Sequence, residues 1–302
     1  MKLAFISCLL LILQVQYLGQ EKNDEKILRV MSFNIRCGSC EDSSDINYWG
    51  KRKQIVFQLF KKYNPDIIGL QEAEIQQIKD IENDFEDFMW FGQGRDDGKE
   101  AGEFTAVFYK WKRLDPWGYD TDWLSETPEI PSKGWNAALN RTVTKAIFYD
   151  SKTESLLCFF NTHFDHIGNT ARIESAKLLR KNVGEYSPFY PAIITGDFNF
   201  TEDSEGYKVL TPNKFEMEDL SPTVNYKPLL NSQYISEQPH YGGKITFNAF
   251  GKTTEFKKAI DFIFVNEQVK VLSHRTVTDT LEGLFPSDHF PVLVEIVFKD
   301  YE

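Results

Sequence analysis

Apolar residues along this chain fall into two rhythms: short continuous runs, and spacings of three and four. Ile27–Ile35 is mostly apolar, β-branched or aromatic, and predicts a strand. Over Tyr48–Tyr63 the apolar residues Ile55, Val56, Leu59 and Phe60 repeat at helical spacing, and Asn64-Pro65 closes that helix. Asp66–Gln71, carrying Ile67, Ile68 and Leu70, reads as a short buried strand, so the chain opens strand–helix–strand. A second helix is expected over Glu74–Asn83 and a third over Thr170–Val183, where Ile173, Ala176, Leu178 and Leu179 line one side. Strands are expected over Phe104–Tyr109, Arg141–Tyr149, Ser155–Thr162, Ala192–Thr195, Ile260–Val265, Val269–Thr278 and Pro291–Phe298. Phe215–Tyr241 is polar and Pro-bearing, and is expected to be irregular. Interleaved helices and strands with runs of consecutive strands give an α/β or α+β class. There is no internal repeat and no Gly/Ser/Pro linker, so one domain is expected over residues 25–302.

The N-terminus breaks this pattern. Lys2 precedes the apolar run Leu3–Leu13, and Gln14–Gln20 turns polar, which is the layout of a secretory signal peptide over residues 1–20. The apolar run is too short for a membrane span. A secreted or periplasmic location follows as an expectation, with a buried N-terminal helix or strand as the alternative.

Composition changes the picture in three ways. Hydrophobic residues at 41% and charged residues at 26% exclude collagen-like, coiled-coil and wholly disordered chains. A formal charge of -11 opposes non-specific tracking along duplex DNA, although a metal ion can screen phosphate locally. Lys51-Arg52-Lys53 and Lys61-Lys62 read as solvated helix faces rather than a basic stripe. Trp117, Trp123 and Trp135 are open to stacking on a ring or to core packing, and core packing is the expectation. Of the four cysteines, Cys37-Gly-Ser-Cys40 is open to a small loop disulfide, a redox pair or two free thiols, the first or an incidental pair being favoured. Cys158 sits in an apolar run and reads as a core thiol.

The candidate chemistry collects at strand ends. Asn34 follows Met31-Ser32-Phe33, Glu72 follows Ile68–Gln71, and His163 follows Phe159–Thr162. Asp197 and Asn199 follow Ile193–Gly196, Asp261 lies in Ala259–Ile263, and Asp288-His289 precedes Phe290-Pro291-Val292. Each alone is ordinary as a turn residue or a satisfied core group. Together they describe polar side chains delivered to one shared rim. The oxygen-rich set Asn34, Glu72, Asp197, Asn199 and Asp288 suits a hard cation such as Mg²⁺. No H-E-x-x-H, Walker loop or G-x-S-x-G is present to support zinc, P-loop or serine-hydrolase chemistry.

Met31–Arg36, Pro65–Glu72, Asn161–His166, Gly196–Asn199, Ile260–Phe264 and Ser287–Val292, in that order, resemble the endonuclease/exonuclease/phosphatase superfamily with its DNase I-like fold. Gly94–Glu103 and Lys133–Arg141 resemble an exported, deadenylase-like branch, departing from it at Asn136 and Asn140. The resemblance implies a four-layer fold, a two-sheet β-sandwich flanked by helices. It implies Glu72 as principal metal ligand with Asn34 and Asp288 near the ion, Mg²⁺ as cofactor and Mn²⁺ as a substitute. Asp197 is implied to position or deprotonate the attacking water, and Asn199 to hold a phosphate oxygen. Asp261 is implied to orient His289 against the phosphoryl group, and His163, oriented by Glu103, to face the same phosphate. Arg95 and Arg141 are implied to contact substrate. The expected activity is an exported phosphodiesterase or phosphatase, monomeric, acting on a small phosphate ester or a short nucleic acid. The alternative is a secreted binding module that keeps the fold without turnover. Asn140-Arg141-Thr142 and Asn199-Phe200-Thr201 match the glycosylation pattern, the second at a position expected to be buried.

Overall fold

Side chains alternate across a strand with period two, and in this chain both faces of most strands are apolar. Such strands must be covered on both sides. In the structure, a computed structural model describing residues 26–212, 228–252 and 257–299, two six-stranded sheets meet face to face and carry helices outside. The first sheet runs β11-β12-β1-β2-β4-β3, built from β1 (Leu28–Asn34), β2 (Ile67–Gln71), β3 (Phe88–Phe91), β4 (Val107–Lys110), β11 (Val269–Thr276) and β12 (Val292–Phe298). The second runs β5-β6-β7-β8-β10-β9, from β5 (Leu114–Trp123), β6 (Thr142–Asp150), β7 (Ser155–His163), β8 (Ala192–Asp197), β9 (Leu230–Asn231) and β10 (Asp261–Val265). The β1–β2 and β7–β8 pairs are parallel, each bridged by a helix, α1 (Trp49–Tyr63) and α3 (Asn169–Tyr186). This is the DNase I-like α/β sandwich that the sequence motifs imply.

Three apolar clusters follow from the alternation. Met31, Phe33, Ile68 and Leu70 face Val56, Leu59 and Phe60 of α1, together with Ile78 and Ile81 of α2 (Ile75–Asp84). Phe160, Ile194, Phe262 and Phe264 face Ala176, Leu179 and Val183 of α3. Between the sheets lie Leu28, Val30, Ile67, Phe148, Phe159, Ile193, Ile263 and Val294. This inter-sheet layer is apolar at one end only. At the same parity, Leu28 and Val30 lead to Ser32 and Asn34, Ile67 to Gly69 and Gln71, Phe159 to Asn161 and His163, and Ile193 to Thr195 and Asp197, all buried.

Asn161 spans the gap at the polar turnover. Its Nδ2 donates to the carbonyls of Leu70 (2.7 Å) and Ala106 (3.0 Å) on the opposite sheet. Its Oδ1 accepts from Gln71 Nε2 (2.7 Å) and Thr195 Oγ1 (3.0 Å). Gly69 is what lets it cross, since a Cβ there would meet Thr195 Oγ1 at 2.1 Å and Asn161 Oδ1 at 2.5 Å. At the far end of the sandwich, buried Arg113 pairs with Asp66 (3.0 Å) and Asp150 (2.9 Å). The outer edge of β11 is covered by residues 237–241, whose backbone bonds to Val271, Leu272, His274 and Thr276. There His240 Nδ1 and His274 Nδ1 lie 2.9 Å apart, with His240 Nε2 on the Gly243 carbonyl.

The structure corrects three sequence expectations. Strands β3, β5 and β9 were not foreseen: β3 is only four residues long, β9 is two residues followed by a helical turn (Ser232–Ile235) inside the stretch expected to be irregular, and β5 is an edge strand with Pro116, a bulge at Trp117 and mostly exposed side chains. Trp117 is 64% exposed and stacks on Tyr149, while Trp123 is buried as expected. Arg52 is no solvated residue: it is 1% exposed, beneath the turn that follows β1. The expected signal peptide and residues 215–227 lie outside the described residues.

Two outcomes follow. Gly69→Ala overpacks the Asn161 crossing and lowers stability by about 1–3 kcal/mol, read by chemical denaturation. His274 is held down to about 3 by burial and then by His240, so the folded chain refuses a proton that the unfolded chain accepts below 6.5. Stability is therefore fully present above about pH 6.5 and falls as pH drops toward 3. His274→Gln keeps a donor for His240 and flattens that limb of a Tm-against-pH curve.

Candidate active site

The polar rim is built by strands that end abruptly. Asn34 closes β1, after which Arg36 takes φ 59°; Glu72 follows β2 at φ 60°; Asn199 follows β8 at φ 50°. Left-handed backbone is uncommon for non-glycine residues and clusters at functional sites. Here it turns the chain sharply off each strand. Buried Asn34 donates through Nδ2 to Glu72 Oε1 (2.9 Å) and to Asp197 Oδ2 (2.9 Å), so one amide joins the carboxylates of two sheets. Its Oδ1 accepts from the Arg36 N–H (3.1 Å), and Cys37 N–H donates to Glu72 Oε2 (3.3 Å). Asn34 thus turns nitrogen, not oxygen, toward the carboxylates.

His289 Nδ1 lies 2.9 Å from Asp261 Oδ2, and its Nε2 lies 3.8 Å from Asp197 Oδ2. His163 Nε2 approaches the same oxygen at 3.6 Å. One ligand atom each from Glu72, Asp197 and His289 lie within 4.8 Å of one another. Asp288 sits beside this trio through Arg36, whose Nη1 is 3.7 Å from Asp288 Oδ2 and 3.9 Å from Glu72 Oε2. All of these groups line or border a cavity of about 410 Å³.

Electrostatics sort the groups. Burial raises the Glu72 carboxyl, but the His289 charge, the Asn34 amide and Arg36 outweigh it and hold it below its ordinary value. Burial and then Asp261 push Asp197 up to about 7; burial likewise raises Asp288. Burial opposes a charge on His289, yet Asp261 and Asp197 raise it well above the usual imidazole value. His163 is held well below by burial and by Arg141 and Arg95, and is neutral. Buried carboxylates are thus crowded together, Asp197 against Asp261 and Asp288 against Glu72. Clustered hard oxygen donors fit a divalent cation, and Glu72 and Asp197 are the carboxylates able to hold it, with Asp288 on the same cavity wall.

The implied substrate arginines separate. Arg141 lines the cavity, only 4% exposed, with Nε on Asp165 Oδ1 (3.3 Å), Nη2 on His166 Nδ1 (2.8 Å) and Nη1 without a hydrogen-bond partner. Arg95 lies behind it and grips Glu103 with both terminal nitrogens (2.5 and 2.9 Å). Glu103 is 3.9 Å from His163 Nδ1, too far for a hydrogen bond, so its partner is Arg95. Asn199 reaches the rim, with Nδ2 donating to the Phe164 carbonyl (2.9 Å). Asn140 Nδ2 donates to the Arg95 carbonyl (3.1 Å), and Asn136 Oδ1 accepts from Ala171 in the first turn of α3 (2.8 Å). Sequence reasoning missed Arg36, His166 and Phe247 as lining residues. Arg36 and His166 close two of the quoted motifs, which was the available signal; Phe247 had none. Cys37 and Cys40 form a disulfide in the cavity wall.

A two-sheet sandwich with acids, amides and histidines on converging strand ends defines a class of phosphoester-hydrolysing enzymes. The sequence profile of the Endonuclease/Exonuclease/phosphatase family matches residues 31–289, and the chain belongs to that family, whose members hydrolyse phosphate esters with divalent metals. It is similar to an endonuclease/exonuclease/phosphatase from Bacteroides vulgatus, 34% identical, with TM-score 0.81 over 90% of this chain and 99% of that one. It is similar to a mannosyl-6-phosphatase from Bacteroides thetaiotaomicron, 36% identical, with TM-score 0.80 over 90% of this chain and all of that one. It also matches a probable RNA exonuclease of Saccharomyces cerevisiae, 24% identical, covering 64% of this chain and 41% of that protein.

Asp261→Asn removes the charge that sustains the His289 imidazolium while leaving its shape. Turnover of a phosphate ester is expected to fall by about 10²–10⁴ with unchanged circular dichroism.

Proposed function

We propose that this protein is an exported, divalent-metal-dependent phosphatase that hydrolyses a small phosphomonoester, with sugar phosphates as the leading class. The observation that carries this reading is the convergence of Glu72, Asp197 and His289 within 4.8 Å. Glu72 and Asp197, with Asp288 on the same cavity wall, would hold Mg²⁺ or Mn²⁺, which when bound supplies positive charge against phosphoryl oxygens and polarises water. Asp197 stands at the centre of the cluster, its Oδ2 3.6 Å from His163 Nε2 and 3.8 Å from His289 Nε2, where it would orient the attacking water. His289, held by Asp261, presents a protonated Nε2 to the phosphoryl group or leaving oxygen. Neutral His163, Asn199 and Arg141 supply polar groups on the cavity side.

Substrate size and charge are argued from the whole molecule. A cavity of about 410 Å³ suits a small ligand, and a net charge of -11 disfavours a long polyanion. The 36% identical mannosyl-6-phosphatase supports a sugar monoester. The likeness to a probable RNA exonuclease supports a second reading, cleavage of short single-stranded RNA, which the acidic balance weakens. Export is supported by the basic–apolar–polar N-terminus and by the Cys37–Cys40 disulfide, a bond that persists in oxidising compartments.

The test is hydrolysis of p-nitrophenyl phosphate, mannose 6-phosphate, bis-p-nitrophenyl phosphate and an RNA oligonucleotide with Mg²⁺ or Mn²⁺. Monoesters are expected to turn over fastest and EDTA to abolish the reaction. Faster cleavage of diester or RNA overturns the monoester assignment. No metal-dependent turnover on any of them leaves a binding module.

A further inference from the structure

Arg52 is buried in the first turns of α1, and among the described residues its hydrogen bonds all go to backbone carbonyls. Its Nε donates to the Asn47 carbonyl (2.7 Å). Nη1 donates to the carbonyls of Ile35 and Pro286 (the latter at 3.0 Å), and Nη2 to those of Arg36 (2.7 Å) and Cys37 (3.4 Å). The Trp49 ring lies 5.2 Å from the guanidinium carbon. Burial lowers its pKa only to about 10, so it stays a cation at neutral pH.

The carbonyls it holds belong to informative peptides. In a trans peptide the C=O and the following N–H point in opposite directions. The peptide whose oxygen is Ile35 O carries the Arg36 N–H, which donates to Asn34 Oδ1 (3.1 Å). The next peptide, whose oxygen is Arg36 O, carries the Cys37 N–H, which donates to Glu72 Oε2 (3.3 Å). A guanidinium behind the turn therefore aims two consecutive N–H groups forward at Asn34 and Glu72. The same Nη1 pins Pro286, one residue before Ser287, whose Oγ donates to Asn34 O (2.7 Å) and which leads into Asp288-His289. A rigid planar fork is needed to hold several carbonyls at once, and an ammonium cannot copy it.

We infer that Arg52 is a positioning residue for the active site, clamping the turn after β1 to the loop before β12 from behind so that Glu72, Asn34 and Asp288 keep their spacing. The inference rests on the proposed metal-dependent reading of the same site. Partners of this kind behind metal ligands are worth about 10–100-fold in affinity or activity.

The test measures Mn²⁺ binding by electron paramagnetic resonance, independently of turnover, alongside thermal melting and monoester hydrolysis. Arg52→Lys keeps the charge and loses the fork; Arg113→Lys makes the same change in a buried arginine at the opposite end of the sandwich. Both are expected to lower Tm, but only Arg52→Lys is expected to weaken Mn²⁺ binding, on the order of tenfold. Should Arg52→Lys fail to fold, Gln77→Met removes the second donor to the Arg36 carbonyl (2.9 Å) and is expected to weaken Mn²⁺ binding several-fold. Exogenous guanidinium is expected to restore part of the affinity in a folded Arg52→Ala protein. Wild-type Mn²⁺ affinity in folded Arg52→Lys, or an equal loss in Arg113→Lys, overturns the inference, as does a wild-type protein that binds no Mn²⁺. A wild type that binds Mn²⁺ but hydrolyses nothing, with binding still weakened in Arg52→Lys, overturns the proposed function and leaves the positioning role standing.

Discussion

Everything at the rim depends on one constraint: a charge taken out of water must find a partner. Two sheets that are apolar between their faces cannot simply end in acids. The structure meets this with a graded layer, from Leu28, Val30 and Phe159, through Ser32, Gln71, Asn161 and Thr195, to Asn34, Asp197 and His163. The neutral amides and hydroxyls of the middle band bond to one another and to backbone, Gln71 Oε1 alone among them lacking a partner within the described residues, so charge is introduced only beyond a neutral polar floor. Asn161 is the main tie, because it reaches across to the backbone of the other sheet. Its passage depends on the missing side chain at Gly69.

Beyond that floor the site crowds buried acids together. Asp197 raised to about 7 and Asp288 raised above its ordinary range are the electrostatic mark of that crowding. Burial alone does not explain it, since Glu72 in the same network stays low with Asn34, Arg36 and His289 around it. The difference lies in which neighbours each carboxylate has. Both accept from Asn34 and feel His289, but Asp197 also faces Asp261, whereas Glu72 has Arg36 and the Cys37 N–H beside it. The arrangement separates one carboxylate that stays ionised from one poised near neutrality, which is the kind of division acid–base chemistry uses.

Much of this was readable in the sequence for a simple reason. A short apolar run that stops at Asn, Glu, His or Asp announces a strand and its end, so Asn34, Glu72, His163 and Asp197 were recognisable, as was His289 just ahead of the last run, and the structure brings them together. Arg52 was not. Lys51-Arg52-Lys53 is indistinguishable from a solvated turn of helix until one knows that α1 presses that face onto the turn after β1. Glu103 was placed correctly near His163 but assigned the wrong partner, because no pattern reveals that Arg95 reaches it from eight residues away with two hydrogen bonds. Strand β5 escaped because an exposed edge carries no core rhythm.

The same contrast bears on how chemistry and substrate choice are divided. Asn34, His163, Asp197 and Asp261 stand on strands and Glu72 one residue beyond β2, and Asn34 ties the two sheets together, so their spacing is set by the sandwich itself. The walls come from connecting segments: the Cys37–Cys40 loop, Leu139 and Arg141 before β6, His166 before α3, and Phe247 packed against His289. These segments differ in kind, offering a disulfide, an aliphatic chain, a guanidinium, an imidazole and a phenyl ring. Arg141 is the wall residue most committed to a ligand, because two of its nitrogens are already anchored on Asp165 and His166 and the third is buried, charged and unpartnered. An arginine held in this way has little conformational freedom left to lose when an anion arrives.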